Sequence, residues 1–501
     1  MTQPPASPSL PHARREVLKL LTGAGAMLAM PACANAPERS LRPSLRPATP
    51  SEGIIARAAL GGQNAYAVID MSRGALVEGR EANAPMPPAS VAKALTALYA
   101  LDRLGAAYQF RTRVIATGPV HEGTLRGDLV LAGGGDPTLD TDALAAMAAD
   151  LARAGVARVT GRFLVWGGAL PFVTQIAADQ AVQAGYNATV SGLNLNFNRV
   201  HFEWQRAAGG GYAISMDARS NRHRPNVRMA RMQIVDRASP LYTYQRSSST
   251  DEWTVARQAL GASGSRWLPV RHPELYAGEV FRALAEVQGV TLPAPETTHT
   301  APAGTALVTH LSRPLPDLLG DILRFSTNIS AEAVGLMAAG AGASMPHSLA
   351  ASGGRMSSWA QMQLGMSSAR LVDHSGLGAN SRVSMADLAR MFHRAGADGT
   401  LRTLLREHPL RDAAGRPLTS PGLDVRAKTG TLYFVSALGG YVRAPGGRDL
   451  AFAVCAADLT RRAQVAGRGA DRPGGTAEWA RSARAMKQDL LFRWARAHSS
   501  A

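Results

Sequence analysis

Cysteine is nearly missing from this chain. Cys33 and Cys455 are the only two in 501 residues, so no disulfide framework holds it together. Histidines are sparse and dispersed. The closest pair, His299 and His310, stands 11 residues apart, which excludes the helical pair of a zinc site, and no metal or other cofactor is expected. The chain has no Gly-x-Ser-x-Gly elbow, the commonest serine-hydrolase signature. The glycine run Gly133-Gly134-Gly135 lacks the Gly-Lys-Ser/Thr of a phosphate loop and reads as a tight turn after a strand. Acidic residues are few, 37 against 54 basic ones, giving a formal net charge of +17. That excess could serve a nucleic acid, but the arginines are scattered, with no basic block and no aromatic-interleaved stripe. No nucleic-acid partner is expected.

The scarcest basic residue is lysine: only Lys19, Lys93, Lys428 and Lys487 occur, and every other basic residue is arginine. Arginine cannot release its proton in a protein, so a chain that prefers it has a chemical use for lysine where deprotonation matters. Lys93 lies in Pro87-Pro88-Ala89-Ser90-Val91-Ala92-Lys93, followed by an apolar run through Leu101 that reads as a buried helix starting near Ser90. Residues three apart on a helix are neighbours, which brings Lys93 beside the Ser90 hydroxyl. A lysine withdrawn from water is neutral enough to act as a base, and a serine nucleophile needs one. Ser-x-x-Lys alone is a weak pattern. The rarity of lysine strengthens it, because Lys428 stands in a second motif, Ala427-Lys428-Thr429-Gly430-Thr431.

With 46% hydrophobic and 18% charged residues the chain is globular and long enough for two or three domains. Residues 1–36 read as an export signal: Arg14-Arg15 precedes an apolar run from Leu20 to Met30 that is too short for an ordinary spanning helix. It resembles a twin-arginine signal. Small-residue cleavage sites around Ala34 and Ala36 compete there with a lipobox-like Met30-Pro31-Ala32-Cys33, which would make Cys33 a lipid anchor. Residues 37–52 read as a linker. Ala65–Asp70 and Ala75–Glu78 suggest a hairpin leading to the Ser90 helix. From residue 112 to 285 short strands and turns suggest an inserted domain. Within it, Thr141–Gly155 reads as a helix, Ala157–Trp166 as a strand, and alternating Leu193 to Asn198 as an exposed strand with a bulge near Val200. Further on, helices are expected over Asp317–Phe325, Met385–Ala395 and Thr476–Arg496. One strand is expected over Asp424–Tyr441, with a turn at Ala444–Gly447 into a strand over Asp449–Ala456. Cys455 reads as a core thiol.

A third motif, Ser326-Thr327-Asn328, follows Ser90 by 236 residues. Ser-x-x-Lys, Ser-x-Asn and Lys-Thr-Gly in this order resemble the penicillin-recognising serine enzymes. The long gap, with Gly133 to Pro137, Leu193 to Asn198, Asn328 through Glu332, and Asp373 through Leu377, is similar to penicillin-binding protein 4 type D-alanyl-D-alanine carboxypeptidases and endopeptidases. The resemblance runs from about residue 52 to the C-terminus. It implies an α/β (α+β) fold: a transpeptidase-like domain of antiparallel sheet flanked by helices, formed by 53–111 and 286–501, with the mostly β insertion at 112–285.

The resemblance also implies the chemistry. Ser90 would attack a D-Ala-D-Ala or D-Ala-diaminopimelate bond of peptidoglycan stem peptides or cross-links, with Lys93 taking its proton. Ser326 and Asn328 would relay a proton and hold the substrate amide. Lys428 would keep the field positive, and Thr429, Gly430 and Thr431 would bind substrate. β-Lactams would acylate Ser90 and inhibit, and the enzyme would be periplasmic. A β-lactamase or esterase on the same scaffold, or a non-catalytic β-lactam sensor, is the alternative. Two departures stand out: Thr327 replaces a frequent aspartate, and His374 replaces a usual glycine after Asp373, with an expected effect on cleft shape.

Overall fold

The computed structural model describes residues 50–411, 416–417, 422–467 and 473–498. The export segment 1–36, with Cys33, lies outside them. So does most of the expected linker, whose last residues instead begin helix α1 (Pro50–Ala58).

A five-stranded antiparallel sheet organises the part that carries the motifs. Its strands are β1 (Gln63–Asp70), β2 (Leu76–Arg80), β3 (Asp424–Leu432), β4 (Val435–Arg443) and β5 (Asp449–Ala457), in the order β3-β4-β5-β1-β2. Alternation decides what each face of β1 covers. Tyr66 and Val68 pack with Trp479, Leu490 and Trp494 of α7 (Thr476–Ala497), the C-terminal helix. Ala65, Ala67 and Ile69 face the opposite way, onto α2 (Ala92–Leu104), α3 (Leu315–Phe325), α4 (Asn328–Gly340), α5 (Leu349–Leu364) and α6 (Met385–Ala395). Helix α2 is buried over most of its circumference, which is why it is apolar on nearly every face. Cys455 is fully buried, its thiol donating to the Pro87 carbonyl at 3.5 Å, and burial pushes it up to about 12.

The hairpins at β1–β2 and β4–β5 form as the sequence suggests. The expected single strand from Asp424 to Tyr441 is instead two, β3 and β4, joined at Tyr433-Phe434 with Phe434 at φ 53°. No glycine, proline or asparagine marks that turn, so local sequence could not reveal it.

The inserted region is mostly β, built on a second five-stranded sheet that includes Arg111–Ala116, Leu129–Ala132 and Phe163–Trp166. Its remaining strands, Pro295–Thr297 and Thr305–Leu311, lie beyond residue 285. The expected boundary therefore falls inside this layer, because the Pro/Thr/Ala-rich chain there carries little periodic signal. Leu195–Asn198 is not a strand but a short helical turn, with Asn196, Phe197 and Asn198 at φ near 50–58°. Asparagine tolerates this left-handed region. Here the amides also hold the turn: Asn198 Nδ2 donates to Asn194 Oδ1 at 2.8 Å, and Asn196 Nδ2 to Thr141 Oγ1 at 2.9 Å.

Beneath the sheet, Lys487 of α7 is fully enclosed, donating to Ser436 Oγ at 2.6 Å and the Ala437 carbonyl at 3.3 Å. Burial pulls its amine down to about 8. The unfolded chain keeps that proton up to the ordinary lysine range, so between about 8 and 10.5 the native state binds fewer protons and stability rises with pH. Below that window burial of the ammonium costs on the order of 3 kcal/mol. Lys487→Met removes this contribution. Its melting temperature relative to wild type should be highest near pH 7 and lose ground steadily as pH rises; a difference flat across the range would refute the argument.

Candidate active site

The turn that carries Ser90 is built by its prolines. Pro87 and Pro88 lead into a single 3₁₀ turn, Ala89–Val91, in which Val91 N–H donates to the Pro88 carbonyl at 3.1 Å and Ala89 adopts φ 45°. This turn sets Ser90, half-buried, one step before α2 begins. Two glycines allow neighbouring chain to close over it. A Cβ at Gly376, itself at φ 74°, would lie 1.9 Å from the Ala89 carbonyl oxygen, and one at Gly430 would lie 3.0 Å from the Ser90 nitrogen. The glycine of the Lys-Thr-Gly motif is thus a requirement of strand β3 passing against the Ser90 turn.

Lys93 has no solvent exposure. Its Nζ lies 2.8 Å from Ser90 Oγ, 2.7 Å from Asn328 Oδ1 and 2.8 Å from the Ser375 carbonyl oxygen. Asn328 Nδ2 donates to the Tyr186 carbonyl at 3.0 Å, an acceptor that fixes the amide with its oxygen toward Lys93. Two of the three neighbours of Nζ are therefore oxygens that can only accept. A neutral amine has two hydrogens and one lone pair, so those oxygens take both hydrogens and the lone pair is left for the Ser90 hydroxyl. Burial drives the Lys93 amine down to about 7, against the opposing pull of Glu332 and Asp373.

The other motif residues converge on the same place. Ser326 caps α3 in the left-handed region, at φ 60° and ψ 33°, and its Oγ accepts from Lys428 Nζ at 2.8 Å. Asn328 opens α4, two residues on. Lys428 also donates to the Thr429 carbonyl at 2.8 Å. Burial first, then Lys93 and Arg406, push its amine down to about 6, against the steady positive charge the motif suggested. An arriving carboxylate favours the ammonium and would recharge it. Gly430 is buried, Thr429 half-buried and Thr431 exposed, on a strand at the edge of its sheet. Beyond its pairing with β4, β3 has only one isolated bridge among the described residues, between Glu407 and Arg426. The edge beside Ser90 can thus receive an extended chain.

His374 does not reshape the cleft. Its ring is fully buried, 2.7 Å from Ser352 Oγ and 3.3 Å from Met356 Sδ, in the space left by Gly335, where a Cβ would meet the ring at 2.1 Å. Burial holds this imidazole neutral, down to about 3. Sequence reasoning gave no role to the carbonyls of Ser375 and Tyr186, which carry no side-chain signal, nor to Glu332. Away from the cleft, His201, Glu203 and Asp217 bring possible ligand atoms within 4.8 Å of one another. Arg219 bonds both carboxylates there, at 2.5 and 2.6 Å, and occupies them.

Comparison with known proteins bears on this geometry. A family model described as D-Ala-D-Ala carboxypeptidase 3 (S13) matches residues 52–471. The D-alanyl-D-alanine carboxypeptidase of Actinomadura sp. (strain R39) is 28% identical over 434 residues, 79% of this chain and 77% of its own length. The D-alanyl-D-alanine carboxypeptidase DacB of Haemophilus influenzae is 23% identical over 393 residues, covering 73% and 79%. The fold is that of the crystal structure of penicillin-binding protein 4 from Haemophilus influenzae, with a TM-score of 0.73 at 18% identity over 89% of this chain and 99% of that one.

The Asn328 bridge yields a directional test. Asn328→Asp sets an anionic oxygen against the Tyr186 carbonyl and another against Lys93, which stabilises the ammonium. The acid limb of benzylpenicillin acylation, expected near pH 7 in the native enzyme from Lys93, should move to higher pH. The plateau should fall on the order of 100-fold. Stopped-flow acylation rates across the pH range check this, and an unmoved limb would contradict it.

Proposed function

Because the chain belongs to the D-Ala-D-Ala carboxypeptidase 3 (S13) family, we propose that Ser90 is its acylated nucleophile, Lys93 its base, and stem peptides of peptidoglycan its substrates. The observation that carries this reading is the Lys93 amine, whose two hydrogens are claimed by Asn328 Oδ1 and the Ser375 carbonyl while its lone pair faces Ser90 Oγ.

In the first step the Ser90 oxygen bonds to the carbonyl carbon between two D-alanines as its proton passes to Lys93. The oxyanion is held by the N–H groups of Ser90 and Thr431, and losing one such donor costs about 3 to 4 kcal/mol of barrier. The carbon–nitrogen bond then breaks. The leaving amine takes a proton from Lys93, relayed through Ser326 with its Lys428 partner, which lie 2.8 Å apart. Water attacks the ester as Lys93 takes its proton, the bond to the Ser90 oxygen breaks, and Lys93 returns the proton to that oxygen, restoring the hydroxyl and the neutral amine. The substrate chain lies along the β3 edge, and its terminal carboxylate meets Thr429, Thr431 and the recharged Lys428. The same edge accepts a cross-linked D-Ala-diaminopimelate bond, so cutting of cross-links belongs to this proposal. β-Lactams acylate Ser90 by the same opening of an amide and are released slowly.

The work site is outside the cytoplasmic membrane, in the periplasm. The twin-arginine-like leader supports this, with Cys33 as a site of lipid attachment. No helix among the described residues is long and apolar enough to cross a membrane.

Incubation with benzylpenicillin should give one covalent adduct by intact mass, mapped by peptide digestion to Ser90. Ser90→Ala should give none and should release no D-alanine from a stem pentapeptide. An adduct elsewhere, or pentapeptide trimming by the alanine variant, would overturn the assignment.

A further inference from the structure

Glu332 takes no part in the steps above, although it is fully buried beneath the cleft. It lies on α4, one turn beyond Asn328. Its two carboxylate oxygens each accept one backbone hydrogen bond from a single loop: Oε2 from His374 N–H and Oε1 from Ser375 N–H, both at 2.9 Å. A side chain gripping two consecutive N–H groups fixes the two peptide planes on either side of His374. The carbonyl of Ser375, the next peptide along, accepts from Lys93 Nζ at 2.8 Å.

The rest of this loop is held from a second direction. Asp373 Oδ1 accepts from Gly376 N–H at 2.9 Å and its Oδ2 from Gly378 N–H at 2.5 Å. Gly376 in turn runs against the Ala89 carbonyl with no room for a side chain. Asp373 thus holds the peptide that carries the Ser375 carbonyl, through its N–H at Gly376, while Glu332 holds the two N–H groups just before it, so the direction of that carbonyl is set from both sides.

We propose that Glu332 is a positioning residue for acylation: by gripping the His374 and Ser375 amides it anchors the upstream side of Ser375, as Asp373 anchors the downstream side, and so keeps the Ser375 carbonyl aimed at Lys93 and the amine's lone pair pointed at Ser90. This rests on the reading of Lys93 as the base. The carboxylate touches neither the substrate nor Ser90; it acts through one backbone carbonyl and selects which direction of the amine is free. If the Ser375 oxygen swings away, an amine hydrogen is released to rotate toward Ser90 Oγ. The base then presents a donor where an acceptor is needed. Helix α4 therefore serves the amine twice, through Asn328 Oδ1 directly and through Glu332 by way of the loop that Asp373 also holds, from positions four apart.

Glu332→Gln tests this with little change of volume. A glutamine has one acceptor and one amide donor on that end, so one of the two backbone N–H groups must face another donor. Acylation by benzylpenicillin is resolved into the dissociation constant of the non-covalent complex and the first-order acylation constant, with rates normalised to titrated active sites. The acylation constant should fall on the order of 10- to 100-fold. The dissociation constant should stay within about 2-fold, because no group that touches the ligand has changed.

An unchanged acylation constant, or a loss shared with the dissociation constant, would overturn the proposal; the latter is what general loosening of the cleft predicts. If the glutamine variant does not fold, Glu332→Asp keeps a carboxyl group and withdraws its oxygens by one methylene. The same split is expected, and an unaltered acylation constant there would be equally decisive against it. Failure of the underlying site reading looks different: the native enzyme would form no adduct at Ser90 at all.

Discussion

The whole catalytic arrangement depends on keeping one amine dry. Lys93 is shut away from solvent, and each of its polar neighbours is another part of the fold: the turn before α2, the start of α4, and the loop after Asp373. Burying an ammonium without compensation is expensive, and the protein answers by letting the proton leave. The apolar character of α2, the tight approach of Gly376 and Gly430, and the closure of the helices over one face of the sheet all serve that exclusion of water. In this sense the core and the active site are a single construction.

Enough of this is legible from residues alone to reach the family and the fold, and the reasons are physical. The helix expected over Met385–Ala395 has those limits, and Ser384 caps it by accepting from the Asp387 N–H. Four lysines among 54 basic residues single out two cleft positions by their rarity. The third buried lysine, Lys487, is a core residue bonded to Ser436, which sequence cannot separate from the other two. Sequence misleads where side chains follow a rule other than periodicity. The Leu-Asn alternation from 193 to 198 mimics a strand, but its asparagines serve a left-handed turn. The extent of the inserted region is hidden because its last strands carry proline, threonine and alanine with no alternating pattern.

At the site, side-chain chemistry is readable and backbone chemistry is not. Carbonyls of Ser375 and Tyr186 complete the surroundings of Lys93 and Asn328, yet a peptide oxygen has the same signature at every position. The charge balance is also partly hidden. In its motif Lys428 looks like a fixed cation, and only its depth and its nearness to Lys93 show that it loses its proton readily. Burial and the neighbouring Lys93 amine together make the Lys428 proton harder to keep.

The hydrogen bond from Asn328 to the Tyr186 carbonyl has a bearing on modularity. Tyr186 belongs to the inserted region, whereas Asn328 begins a helix of the sheet-based part. The orientation of a cleft amide is thereby written into chain that could be mistaken for an accessory added to a complete enzyme. A shortened descendant lacking that excursion would retain every signature residue and still lose the peg that keeps the amide from flipping.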